Sequence, residues 1–101
     1  MSNIIQLGNN RSDPELVGEL LDIANKYHSI DFVCRATDLI QKVTSYFIIS
    51  NQVNQEEFPY LIKETNYITS KHKEKVTFFE GTREDITAIF PIRNLQIIYQ
   101  K

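Results

Sequence analysis

The chain has one cysteine, no tryptophan, three glycines, three prolines and no uncharged run longer than 13 residues. Each scarcity excludes something. A lone Cys34 closes no internal disulfide, and without a Cys-x-x-Cys pair or a Cys/His cluster there is no zinc-finger spacing. The longest uncharged run, residues 43–55, contains Thr44, Ser45, Ser50, Asn51 and Gln52, and it falls short of the roughly 20 mostly apolar residues that span a bilayer. The first ten residues hold neither a basic stretch nor a long apolar run, so they do not read as a secretory signal. These absences predict a cytoplasmic protein with no membrane association. Glycine is too sparse for a phosphate loop. Gly8, Asn9, Asn10, Arg11 and Ser12 precede a helix start, but they lack the P-loop lysine, and Asp13 and Glu15 already place negative charge there.

What is present is enough for a folded core. The chain is 101 residues long, with 42% apolar and 24% charged residues and a net charge of -2, which predicts a single domain over residues 1–101 rather than disorder. Fourteen isoleucines, eight asparagines, seven lysines, six phenylalanines and five tyrosines all have AT-rich codons. That fits a low-GC bacterium, a phage or a mobile element as the source and says nothing of mechanism.

Residues 3–7 read as a short strand and 9–12 as a loop. A helix follows, because Ser12 and Glu15 have capping-box spacing, Asp13 is an alternative cap and Pro14 falls in the first turn. Leu16, Leu20, Ile23, Ala24 and Tyr27 form its apolar face, with Glu15, Glu19 and Asp22 on another. Residues 30–50 fit two patterns. Ile30, Phe32 and Cys34 alternate like a strand, whereas Phe32, Ala36, Leu39, Ile40, Val43 and Phe47 fit a helix. The reading adopted is a helix from Asp31 or Thr37 to Val43, then a strand over 44–50. Residues 51–55 connect to a helix opening at or just before Pro59, whose face is Leu61, Ile62, Thr65 and Ile68. Short apolar runs at 75–80, 86–90 and 95–100, separated by 81–85 and 91–94, predict a β-meander. The expected fold is α+β, with two or three helices packed on a small antiparallel sheet that ends in this C-terminal meander.

Charge divides unevenly: residues 1–70 carry -4 and residues 71–101 carry +2. Lys71, His72, Lys73 and Lys75 concentrate the basic excess beside Tyr67, Phe78 and Phe79, a pattern that can neutralise phosphates and stack bases. A sequence pI near 5.6 opposes that use, and lysines beside a strand commonly guard a solvated edge. Cys34 with His28 or His72 and Asp31 or Asp38 has the parts of an activated thiol. The same three-residue steps describe a helix end around a small buried thiol, which is the reading adopted. Glu56–Glu57 and Glu84–Asp85 are adjacent acids in expected loops, so no catalytic residue, metal or cofactor is predicted. RNA-recognition, KH, zinc-ribbon, helix-turn-helix and ferredoxin-like cofactor signatures are all missing.

The leading expectation is a small cytoplasmic regulatory or adaptor protein, phage-like in composition, that acts on a protein partner or on a second copy of itself. Phe79, Ile89 and Ile98 are assigned to one exposed face of the meander, opposite Ala88, Ile97 and Phe78, as the interaction surface. The alternative is a small nucleic-acid or anion binder using Lys71, His72, Lys73 and Lys75.

Overall fold

A computed structural model describes residues 13–38, 40–89 and 94–101. The expected strand at 3–7, the loop at 9–12 and the Ser12 half of the capping box lie outside them. Helix α1 (Asp13–Lys26) is followed by strands β1 (Phe32–Asp38) and β2 (Val43–Ser50), helix α2 (Phe58–His72), strand β3 (Lys75–Glu80), helix α3 (Arg83–Ile89) and strand β4 (Asn94–Gln100). The class is α+β. Among the described residues, three helices accompany one four-stranded sheet in the order β3-β2-β1-β4.

The sheet is mixed, which corrects the expected antiparallel arrangement. β1 pairs antiparallel with β2 and with β4, but β2 and β3 run parallel. A parallel neighbour requires a crossover, and α2 supplies it between β2 and β3. The expected helix between Asp31 and Val43 is instead strand β1 and the turn of a hairpin. Asp38 makes that turn: its Oδ1 accepts the Ile40 and Gln41 backbone N–H groups at 2.9 and 3.1 Å, and Lys42 takes a left-handed φ of 59°. Burial of five consecutive residues, Phe32 to Ala36, then marks β1 as a central strand covered on both faces.

The meander also fails at its middle run. Residues 83–89 are helical because Thr82 and Asp85 form a reciprocal cap, with Thr82 N–H donating to Asp85 Oδ2 at 2.9 Å and Asp85 N–H donating to Thr82 Oγ1 at 3.2 Å. The turn into this helix is tight: a Cβ on Gly81 would lie 2.6 Å from the Phe79 ring and 2.8 Å from Asp85 Oδ2.

Two apolar clusters sandwich the sheet. On one face Leu16, Leu20, Ile23, Ala24 and Tyr27 of α1 and Leu61 and Ile68 of α2 meet Val33, Tyr46, Ile48 and Val76, with Phe78, Ile98 and Tyr99 partly buried against them. The other face gathers Phe32, Cys34, Ala36, Phe47 and Ile49 under Ile86 of α3, with Phe79 and Leu95 at the margin. α2 begins where Asn54 Oδ1 accepts the Glu56 N–H at 2.8 Å, has Pro59 in its first turn and ends at Lys73 in a left-handed cap. Among the described residues, no helix is long and apolar enough to cross a membrane.

Candidate interaction surface

The expected trio does not share a surface. Among the described residues β3 and β4 are opposite edges of the sheet, with β2 and β1 between them, so Phe79 and Ile98 are not neighbours as they would be in a meander. Phe79 packs on the α3 cluster and Ile98 on the α1/α2 cluster. Ile89 belongs to α3 rather than to a strand, and its side chain lies outside the described residues. Strand alternation along 95–99 breaks as well. A register shift in β4 sets Ile97 opposite Cys34 and Tyr99 opposite Val33, so one extra residue, Ile98, falls between them.

Among the described residues β4 is an edge strand, and Ile97 within it is 46% exposed. Asn94 to Gln100 carries no charge, proline or glycine, and among the described residues only β1 pairs with it. Such a strand offers a row of backbone donors and acceptors on the side that no described strand occupies, and its own side chains carry no charge to discourage another strand. The opposite edge differs: β3 opens with exposed Lys75, closes with exposed Glu80 and turns Thr77 outward. The sequence holds no local signal for the bulge; Ile98 packs against the α1/α2 cluster, whereas Ile97 joins neither cluster.

The basic segment is divided. Lys71 Nζ lies 2.6 Å from Glu19 Oε2 and 3.0 Å from Glu15 Oε2, and His72 Nε2 lies 3.1 Å from Glu19 Oε1. Glu15 and Glu19 stand one turn apart on α1, so the acidic face of that helix receives the end of α2. Lys73 and Lys75 remain exposed. Lys71's hydrogen bond, working with that of His72 against the cost of burial, holds Glu19 below its ordinary pKa. At Glu64, burial pushes the carboxyl up but is outweighed by hydrogen bonds from Tyr27 and Lys26, for a net lowering. Burial, reinforced by that Glu64 hydrogen bond, raises the Tyr27 hydroxyl to about 12.

Both carboxyls therefore release protons more readily folded than unfolded. The stability they contribute is complete above the ordinary carboxylate value and is lost as pH falls through the lowered values. Thermal melts are expected to be flat between pH 7 and about 5 and to drop below that. Glu19→Gln, which weakens the acceptor of the enclosed His72, is expected to cost about 1–2 kcal/mol at neutral pH and to shrink the acid-side drop. An unchanged pH profile in that variant contradicts the assignment.

Cys34 does not join a catalytic set. It is fully buried among Phe32, Ala36 and Phe47, whereas His72 is bound to Glu19 and His28 is exposed. Burial pushes the thiol up to about 11, which keeps it protonated and unreactive at neutral pH. Native protein is expected to resist a thiol-specific disulfide reagent until it unfolds, and Cys34→Ala to cost about 1–2 kcal/mol as a small core truncation. Rapid labelling of the native protein contradicts this.

One open cleft of about 450 Å³ lies at the end of the sheet where β2 and β3 finish, lined in part by Asp31, Phe32, Asn51, Arg83 and Lys101. Its charges are already engaged. Asp31 accepts the Asn51 N–H at 2.7 Å and lies 3.7 Å from Lys101 Nζ, while Lys101 also donates to the His28 carbonyl. Arg83 caps the Phe32 ring at 5.4 Å. No family model matches the chain, and neither a curated protein nor a solved structure matches it.

Proposed function

We propose that the protein works by protein–protein contact, as a small regulatory or adaptor module whose contact surface is the outer edge of β4 and whose first occupant is a second copy of the chain. The observation that carries this reading is the uncharged strand Asn94–Gln100 with Ile97 half-exposed at its centre. Antiparallel pairing of two such strands about a two-fold axis sets uncharged residues opposite uncharged residues and extends the sheet across both copies. Phe79 and Ile98, each partly buried on its own face, belong to the packing behind the sheet rather than to this edge.

Static light scattering at micromolar concentration tests the reading, with a mass near twice 11.8 kDa expected for the native chain. A mass of 11.8 kDa together with steeply salt-dependent binding to mixed-sequence DNA or RNA would move the function to exposed Lys73 and Lys75. Against that outcome, Lys71 and His72 already face carboxylates, so the basic segment presents less free positive charge than its sequence suggests.

A further inference from the structure

Glu15, Glu19 and His72 each place one ligand atom so that the three lie within 4.8 Å of one another. The donors come from the start of α1 and the end of α2, and they include a nitrogen as well as two carboxylates. The His72 side chain is only 4% exposed, so packing, rather than a choice among solvent rotamers, aims its Nε2 at the carboxylates. A cation is already gathered there, since the Lys71 ammonium bridges both glutamates. Among the described residues charge does not balance: two carboxylates face one ammonium, and a neutral imidazole leaves the group at -1.

We propose that this cluster is a binding site for a divalent transition-metal ion of the zinc class, in which the Lys71 ammonium is a displaceable occupant. A dication in its place brings the group to neutrality. One imidazole with two carboxylates is a three-ligand set of the kind that suits zinc or cobalt and leaves a fourth position for water, whereas calcium asks for six to eight oxygens. Metal bonds of about 2.0–2.2 Å draw ligand atoms closer than they now stand. Glu15, 61% exposed, is free to close that distance, and Lys71, 37% exposed, is free to swing into solvent. Bound metal would tie the first turn of α1 to the last turn of α2 and stabilise the fold by mass action.

Titration of the metal-free full-length chain with cobalt(II), read by visible ligand-field absorption and by competition with zinc, decides the matter. One equivalent is expected to bind. Lys71→Met removes the competing cation and is expected to bind at least about tenfold tighter, while Glu15→Gln and His72→Gln each weaken binding at least about tenfold. Should His72→Gln fail to fold, Glu15→Gln at the surface still reports on the ligand set. The proposal is overturned if neither the native chain nor Lys71→Met takes up cobalt at roughly 100 μM. It is equally overturned if uptake is unchanged by Glu15→Gln, or if Lys71→Met binds no tighter than the native chain.

Discussion

Leu20→Ala is expected to destabilise the protein by about 2–5 kcal/mol, a larger loss than truncation of the smaller Cys34 side chain causes. Leu20 is fully buried on α1 and belongs to the cluster that joins both long helices to the sheet through Tyr46, Ile48 and Val33. Removing its branched end loses the transfer energy of the missing atoms and leaves a cavity that the rigid sheet below cannot fill by sinking. A chain of this size has a total stability of roughly 5–15 kcal/mol, so the loss is a large share of the whole. It corresponds to a fall in melting temperature of about 10 °C or more. Asp22→Ala, on the more open side of the same helix, is the control and is expected to stay within about 0.5 kcal/mol. If the two variants melt together, the first cluster is not the main core.

Ile97→Lys is expected to abolish self-association while leaving the monomer folded. The side chain is 46% exposed, so a lysine there can run its stem along the strand and keep its ammonium in water, at a cost within about 0.5 kcal/mol. In a two-fold pairing of β4 strands the same substitution brings two ammonium groups to the seam and removes apolar contact from its centre. Like charges facing each other across the seam and the lost apolar contact are expected to weaken the dimer by roughly tenfold or more. Ile98→Lys is the weaker test, because Ile98 is partly buried against the α1/α2 cluster and its replacement damages the fold itself. A folded variant of native mass near 11.8 kDa supports the edge; a variant that keeps the native dimer mass removes β4 from the interface.

How far the sequence could be read depended on whether a signal was local. The apolar face of α1 is spaced by the helix itself, and Leu16, Leu20, Ile23, Ala24 and Tyr27 are all buried as that spacing predicts. Pro59 likewise marked the start of α2, and Leu61, Thr65 and Ile68 its inner face. β1 reads as helix in sequence because a strand covered on both faces loses the alternation that distinguishes strand from helix, and because its turn uses Asp38 and a left-handed Lys42 without glycine or proline. The Thr82/Asp85 cap was a readable signal that a run of β-branched and aromatic residues overshadowed. Sheet order and the β4 bulge are long-range outcomes, so the spatial separation of Phe79 from Ile98 had no local trace. For the same reason the meeting of Glu19 with His72, 53 residues apart, was invisible.

Hydrogen exchange of the segment 94–101, followed by mass spectrometry at high and low protein concentration, shows whether β4 pairs with a second copy. An unpaired edge exposes its outward amides, and pairing with a second copy covers them. Protection of this segment is expected to rise with concentration, in step with the native mass, and to disappear in Ile97→Lys, while protection of β1 and β2 stays constant. Exchange in 94–101 that is the same at every concentration would contradict that pairing.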